Sequence, residues 1–490
     1  MCQSKSQGGR RCAGKGKGSS FFPAGLETSL ADHEYVCPRC GNPGSRASVH
    51  SCKAENLVPL SSFQTKVADI LRNAGYRPLV VGEDVRNAVQ AQQDGTPESA
   101  PEHLYVNDDT PDVKKAFADS GIEAKTNGGF VTLEDSEGNT TSVRTWLPDS
   151  PYSIDTLTYD PATSNIEDPN GGLADIRDGV IRHTEAFEDN PVSVLRGAVL
   201  ASQTGYSVAP ETLQAASDAS HLYESIPKSE VWKQWEDLSL SKEPSKALTA
   251  IHEMGWEKNF PELAAIRGVP QSPFWHPEGP VEIHTGQAAD VAARKADEEG
   301  LNAEDRSVVV IAAITHDLGK SESTVIDEEG NISSAGHEYT GHKLSKKFLR
   351  GIGASDSVRR QVPLIVYAHM HHAQAPTERA VRRLIRKLDN EGKGTTIELW
   401  ARVAEADKAG RGEAGTFGVR KEFLDVVETI RKKDAQPPRH LVNGDFLRKN
   451  GYAPGEHFGD MIRAAKEAHD NNEIGTEEDA VKWLKSKFPL

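Results

Sequence analysis

The sequence predicts an α+β multidomain chain, with a small mixed-sheet domain first and a mostly helical remainder after it. Three observations carry that reading. The chain has 490 residues, enough for three or more domains with separate cores. Between Leu57 and about Asp149, strand-like and helix-like runs alternate. Further on, Val308-Val309-Val310-Ile311 is an apolar segment that must be buried, and it leads into Ala312-Ala313-Ile314-Thr315-His316-Asp317-Leu318-Gly319-Lys320.

The first stretch is of a different kind. Residues 1 to about 30 are rich in Gly, Ser, Lys and Arg, which predicts a flexible basic tail. All five cysteines lie within the first 52 residues, so no disulfide framework supports the main fold. Cys37-Pro38-Arg39-Cys40 has the spacing of a zinc knuckle. A turn through Gly41-Asn42-Pro43-Gly44 would bring His50 and Cys52 round as further ligands of a structural zinc. Free thiols are the alternative. The start lacks the apolar core of a signal peptide, and no apolar run approaches the roughly 20 residues that span a bilayer. A cytoplasmic protein is expected, with no membrane contact. A net charge of −16 and a pI of about 5.6 argue against a general nucleic-acid coat, and no DNA partner is expected.

In the α/β stretch, Phe63 to Ala74 reads as an amphipathic helix and Tyr76 to Val81 as a strand. The strand runs into the turn Gly82-Glu83-Asp84-Val85-Arg86-Asn87, which opens a second helix. Thr110 and Pro111 start another helix as N-cap and first-turn proline. Residues Gly128 to Leu133 and Thr141 to Trp146 alternate as paired strands, with Ser136-Glu137-Gly138-Asn139 as the turn.

The metal chemistry is legible at His316-Asp317. Imidazole and carboxylate suit borderline and hard cations. The dipeptide alone occurs by chance; its companions carry the signal. His284 lies upstream and Asp407 downstream, and His337, His369, His371 and His372 fall between the last two members. Ordinary surface histidines are the bland alternative. The order H…HD…D resembles the HD superfamily of metal-dependent phosphohydrolases. That resemblance implies that His284, His316, Asp317 and Asp407 bind one divalent metal ion, whether Mn, Ni, Co or Mg. Lys320 is placed to offset charge on phosphate, with a solvated lysine as the alternative. His337 and His369 are candidates for a second metal or a general acid. His276 and Glu278 read as residues that shape the linker.

A second resemblance covers residues 60 to 488. The element order of the α/β stretch is similar to the head of the tRNA nucleotidyltransferases, the CCA-adding and poly(A) polymerase-like family. Its GGxVRD turn corresponds to Gly82 through Asn87, so Gly82 and Arg86 are candidate nucleotide- or RNA-binding residues. Its paired aspartates fall on Glu102-His103-Leu104-Tyr105-Val106, its third carboxylate on about Ser142, and its Arg-Arg-Asp on Asp149-Ser150-Pro151. Ile166 through Ile176 corresponds to the segment that joins head to neck. In the neck, Arg196 is kept where the family reads the incoming base, while Asn190, Ser193 and Val231 replace other reader positions; a salt-bridge role is the alternative for Arg196. The runs Phe260-Pro261-Glu262-Leu263, Trp275-His276-Pro277-Glu278, Gly336-His337-Glu338 and Gly444-Asp445-Phe446-Leu447 are close to those of proteobacterial members that carry an HD domain.

The expected division is a basic leader with a zinc knuckle at 1–56, a degenerate head at 57–150 and a helical neck at 151–272. The HD domain follows at 273–435 and a helical tail at 436–490. The resemblance implies phosphoesterase activity on 2′,3′-cyclic phosphates, 2′-nucleotides and phosphomonoesters, with an RNA 3′ end or a nucleotide as partner. Two alternatives stand beside it: a working CCA-adding transferase, and a non-catalytic RNA-end binding protein. Oligomeric state is not legible.

Overall fold

The computed structural model describes residues 35–36, 43–44, 50–53 and 57–489, except 97–98, 107–112, 128, 146–148, 189, 374–375, 390–391, 393, 413–418, 435–440, 456 and 471–472. The fold is mixed α+β, with the sheet in the N-terminal part and helices thereafter. It forms two compact units, 1–370 with 388–417, and 371–387 with 418–490.

The first strands are β1 (Tyr35–Val36), β2 (Pro43–Gly44) and β3 (His50–Lys53). The remaining strands of the head are β4 (Pro78–Val81), β5 (His103–Val106), β6 (Glu123–Asn127), β7 (Phe130–Glu134), β8 (Thr140–Arg144), β9 (Thr158–Asp160) and β10 (Asn165–Asp168). The strands β3 to β10 form one eight-stranded sheet in the order β3-β10-β9-β4-β5-β8-β7-β6. Its edge strand β3 comes from within the stretch read as a leader. Only β5 and β8 are parallel neighbours within it; the other pairs are antiparallel. β4 lies near the centre and all four of its residues are buried, which suits its Pro-Leu-Val-Val sequence. β7 and β8 alternate buried and open positions, as a one-sided sheet requires, and Leu133 faces Thr141 across them. The turn between them is held by Asp135, which accepts from the amides of Glu137 and Asn139.

Helix α1 (Ser62–Asn73) starts with a reciprocal capping box between Ser61 and Gln64. Helix α2 (Glu83–Asp94) starts at Gly82, whose φ of 69° favours glycine, and a Cβ there would sit 3.2 Å from the Asp155 carbonyl. The described part of the segment expected to be a helix after Pro111 is a single 3-10 turn, Val113–Phe117.

Helices α3 (Gly172–Asp178), α4 (Val192–Thr204), α5 (Pro210–Asp218), α6 (Lys228–Ser239), α7 (Pro244–Glu253) and α8 (Pro261–Ala264) form the neck. The next group is α9 (Val281–Glu298), α10 (Ala303–Thr315), α11 (Lys320–Ser323), α12 (His337–Gly351), α13 (Asp356–Ala368), α14 (Glu378–Asp389) and α15 (Ile397–Ala409). Helix α10 is central, packed on α9, α13 and α15. Asn302 caps its start by accepting from the Asp305 amide, and every residue from Arg306 to Thr315 is buried. Each buried Val or Ile contributes about 1.5–3 kcal/mol. That run offsets what it costs to carry polar groups at the helix end. In the second unit, α16 (Val419–Asp434) is tied to α14 by Arg382, which donates to both carboxylate oxygens of Asp434 at 2.7 and 2.8 Å. Its last helices, α17 (Gly444–Lys449), α18 (His457–Asp470) and α19 (Glu477–Lys487), share a core of Leu447, Met461, Ile474 and Leu484. Among the described residues, no helix is long and apolar enough to cross a membrane.

Candidate metal centre and the remodelled head

Six of the residues singled out from the sequence lie together at the helix ends around α10. His284 is in the first turn of α9, and Asp407 is in the last turn of α15. His316 and Asp317 follow the last residue of α10, His337 opens α12, and His369 follows α13. All six are buried. They form two groups whose ligand atoms lie within 4.8 Å of one another: His284, His316 and Asp407, and Asp317, His337 and His369. Asp317 joins the groups. Its Oδ2 is 3.2 Å from His316 Nε2 and 3.8 Å from His284 Nε2, while its Oδ1 is 3.3 Å from His337 Nε2 and 3.7 Å from His369 Nε2.

One backbone device aims three of the imidazoles. The Nδ1 atoms of His316, His337 and His369 lie 2.7, 2.7 and 2.6 Å from the carbonyls of Ala313, Ser334 and Val366, three residues back in each case. A carbonyl only accepts, so each Nδ1 carries a proton and each Nε2 is turned toward the cluster. His284 is aimed differently. Its Nδ1 lies 2.8 Å from Glu278 Oε1, and its Nε2 lies 3.1 Å from Asp407 Oδ1. Burial would lower the His284 pKa, but hydrogen bonding to Asp407 and Glu278 overrides it and raises the ring to about 9. Burial likewise drives His369 down to about 3, so its Nε2 stays a lone pair at neutral pH. Asp317 is kept well below the usual carboxylate range; burial opposes this, and the charges of His316 and Lys320 outweigh it.

These donors fit a divalent cation. Four imidazoles and two carboxylates converge, the His316 and His284 Nε2 atoms are 3.3 Å apart, and those of His337 and His369 are 3.0 Å apart. Asp317 Oδ1 is buried with no hydrogen bond. Imidazole and carboxylate groups gathered this closely are the donor set that suits such a cation.

Lys320 is buried rather than solvated, its Nζ 2.7 Å from Asp317 Oδ2 and 2.6 Å from Gln271 Oε1. Close approach makes this possible. Gly319 lies against α12, and a Cβ there would run into the His337 carbonyl and stand 2.5 Å from the Gly341 amide. Three supporting residues were not assigned to the site from the sequence: Glu278, Gln271 and Arg411, the last 3.2 Å from Asp407 Oδ1. Glu278 also meets His276 Nδ1 at 2.9 Å. Burial would raise its pKa, but the two rings hold it at about 2. The His-Pro-Glu spacing six residues before His284 was the available signal.

In the head, β5 and β8 carry His103 to Val106 and Ser142, residues that the sequence resemblance aligned with carboxylates. His103 on β5 is directly opposite Ser142 on β8, its Nδ1 2.6 Å from Ser142 Oγ. The Arg144 guanidinium lies over the Phe130 ring at 4.6 Å and the Tyr105 ring at 5.6 Å. Gly82, Arg86 and Arg196 converge on Asp155. Arg86 is buried and donates to its Oδ1, and Arg196, 46% exposed at its side chain, donates to Oδ2 at 3.2 Å. Asp84, beside the Gly82 turn, is raised to about 6 by burial. Asp108 and Asp109 lie outside the described residues.

So do Cys37 and Cys40, which fall between the paired strands β1 and β2. Of the other two knuckle candidates, His50 and Cys52 occupy β3, in register with Asp168 and Ile166 of β10.

Comparison with known proteins agrees with this geometry. The HD domain family matches residues 281–407, which begin three residues before His284 and end on Asp407. The Multifunctional CCA protein of Xanthomonas campestris pv. campestris strain B100 is 30% identical over 270 residues, covering 53% of this chain and 63% of that protein. The chain thus spans somewhat under two thirds of the length of that relative. The Multifunctional CCA protein of Vibrio vulnificus strain YJ016 is 29% identical over 353 residues, 70% of this chain and 78% of that one. Among solved structures, the Bacillus stearothermophilus CCA-adding enzyme in complex with CTP superposes with a TM-score of 0.52 at 17% identity, covering 86% of this chain and 96% of that one. A CCA-adding enzyme with ATP superposes with a TM-score of 0.54 at 13% identity, covering 89% and 99%. Those two likenesses speak to fold alone. The chain is thus similar to Multifunctional CCA proteins in sequence and to CCA-adding enzymes in fold, and it carries a match to the HD domain family.

Proposed function

We propose that this chain is a divalent-metal-dependent phosphohydrolase acting at the HD cluster on phosphoesters of RNA 3′ ends or nucleotides. The observation that carries the reading is the buried meeting of His284, His316, Asp317 and Asp407, with His337 and His369 on the far side of Asp317. The first four would hold one cation, and Asp317 with His337 and His369 would hold a second. A bound divalent cation acidifies water and polarises a phosphoryl oxygen.

The protein's own groups do the rest. Glu278 orients His284 through Nδ1. Lys320 neutralises Asp317, and Arg411 does the same for Asp407, so neither carboxylate swings away. Burial would lower the His337 pKa, but the neighbouring Asp317 carboxylate raises it. Hydrolysis of adenosine 2′,3′-cyclic phosphate with Mn, Ni, Co or Mg tests the reading. Chelation should abolish turnover and one of these ions should restore it; metal-independent turnover would oppose it.

A second reading is favoured by the relatives, which are named for CCA addition. We hold that the head of this chain does not add CCA. The His103–Ser142 pair and the Arg144 cation occupy the ground that a two-metal carboxylate clamp needs. The test is extension of a tRNA lacking its 3′ end with labelled CTP and ATP. Robust incorporation, lost on changing Asp108 or Asp109, would establish the transferase instead. Either way the expected partner is an RNA end or a nucleotide.

A further inference from the structure

The loop from Pro270 to Pro280 carries two features that the metal centre does not use. Phe274 is 78% exposed and Trp275 is 61% exposed, with their rings edge to face at 4.7 Å. Phe274 is the most exposed large apolar side chain among the described residues. Leaving two aromatic rings in water at a loop tip forgoes burial that is worth a few kcal/mol.

The loop is not slack. The Ser272 carbonyl accepts from the amides of Trp275 at 3.0 Å and His276 at 2.8 Å, which closes the turn. On one side Gln271 accepts from Lys320 Nζ and donates to the Gly279 carbonyl at 3.1 Å. On the other, the His276 ring packs edge to face on His284 at a centroid distance of 4.7 Å, and Glu278 bridges the two rings. Both ends of the aromatic pair are therefore fastened to residues of the cluster, and Trp275 is the immediate chain neighbour of a ring stacked on His284.

We infer that Phe274 and Trp275 form a stacking platform for the base of a nucleoside phosphate whose phosphate is bound at the HD cluster. The inference rests on the proposed phosphohydrolase reading and names the side chains that take the base of its substrate. Exposed rings on a pinned backbone present flat faces at little further entropic cost, and such faces take any base. Two rings offer at most about 300–500 Å², short of the roughly 800 Å² per partner of a stable protein interface.

The test compares adenosine 2′,3′-cyclic phosphate with ribose 2,3-cyclic phosphate, which has no base, using the full chain and Mn²⁺. Trp275→Ala and Phe274→Ala should raise KM for the nucleotide about 5- to 100-fold, with kcat within about twofold. Neither should alter the baseless substrate, and Trp275→Phe should keep most of the wild-type KM. Equal effects on both substrates, or none on either, would overturn the platform while leaving the hydrolase reading standing. A loss of self-association in the alanine variants without the KM change would also overturn it, assigning the patch to a second copy. If the wild type hydrolyses neither ester, the hydrolase reading fails. The platform is then decided by tryptophan fluorescence: quenching by adenosine 2′-monophosphate, lost in Trp275→Phe, supports it, and no quenching removes it.

Discussion

Glu278 shows how a single side chain sets the metal centre. Its carboxylate lies 2.8 Å from Nδ1 of His284, on the side of the ring away from Asp407, and so favours Nε2 as the nitrogen that faces the cluster. Glu278→Gln should therefore weaken Mn²⁺ binding by about 10- to 100-fold, as such orienting groups do. Calorimetric titration measures it, and wild-type affinity in the variant would contradict the role. Asp84 makes a prediction in the head. Its folded pKa is raised to about 6 from 3.8, so the ionised form is disfavoured on folding. Stability is then greatest below about pH 4 and falls as pH rises to about 6. Asp84→Asn should raise the melting temperature at pH 7.5, by a gain on the order of 1 kcal/mol after discounting for partial exposure, and the gain should vanish near pH 4. A difference independent of pH would contradict it. The reach of the sequence is uneven at this scale. His284, His316, Asp317 and Asp407 stood out because their order along the chain is distinctive. Glu278 did not, because the His-Pro-Glu run before His284 reads as a linker until the path of the Pro270–Pro280 loop brings its carboxylate to the ring.

Helix ends make the site. His316, His337 and His369 each use the carbonyl three residues back to aim a ring, so the ligands are set by where α10, α12 and α13 stop or start. The apolar run into His316 was legible as a buried helix, and so were α1, β4 and the β7–β8 pair. The 3-10 turn at Val113–Phe117 was not, since a capping pattern marks where a helix can begin and tertiary packing decides how far it runs. Gly319→Ala tests the junction between α10 and α12. The new Cβ must push α12 away, so a loss of more than about 2 kcal/mol and of Mn²⁺ binding is expected. Near-native stability with metal still bound would contradict the close approach. At the N-terminus, the proposal that Cys37, Cys40 and Cys52, with His50, hold one zinc is checked by elemental analysis of the full chain. One zinc per chain, lost on Cys40→Ser, is expected; no zinc after metal-replete purification would remove it.

Over the whole molecule, the head and the HD cluster are built from different side chains. In the head, the strands, the Gly82 turn and the Asp155 ion pairs hold their shape, and His103, Ser142 and Arg144 lie together on β5 and β8. In the HD cluster every ligand type is present and buried together. The mixed α+β class was legible because strand-like and helix-like runs alternate early in the chain, whereas the neck and HD helices were read from a resemblance. Which of the two sites works was not, because that depends on register across β5 and β8 and on which side chains meet. The central claim is that the HD cluster supplies the activity. Its most direct measurement is phosphoester hydrolysis of adenosine 2′,3′-cyclic phosphate by the full chain and by Asp317→Ala, each with added Mn²⁺. Asp317 touches both ligand groups, so its loss should lower turnover at least about 100-fold. Equal rates in the two proteins would contradict the account.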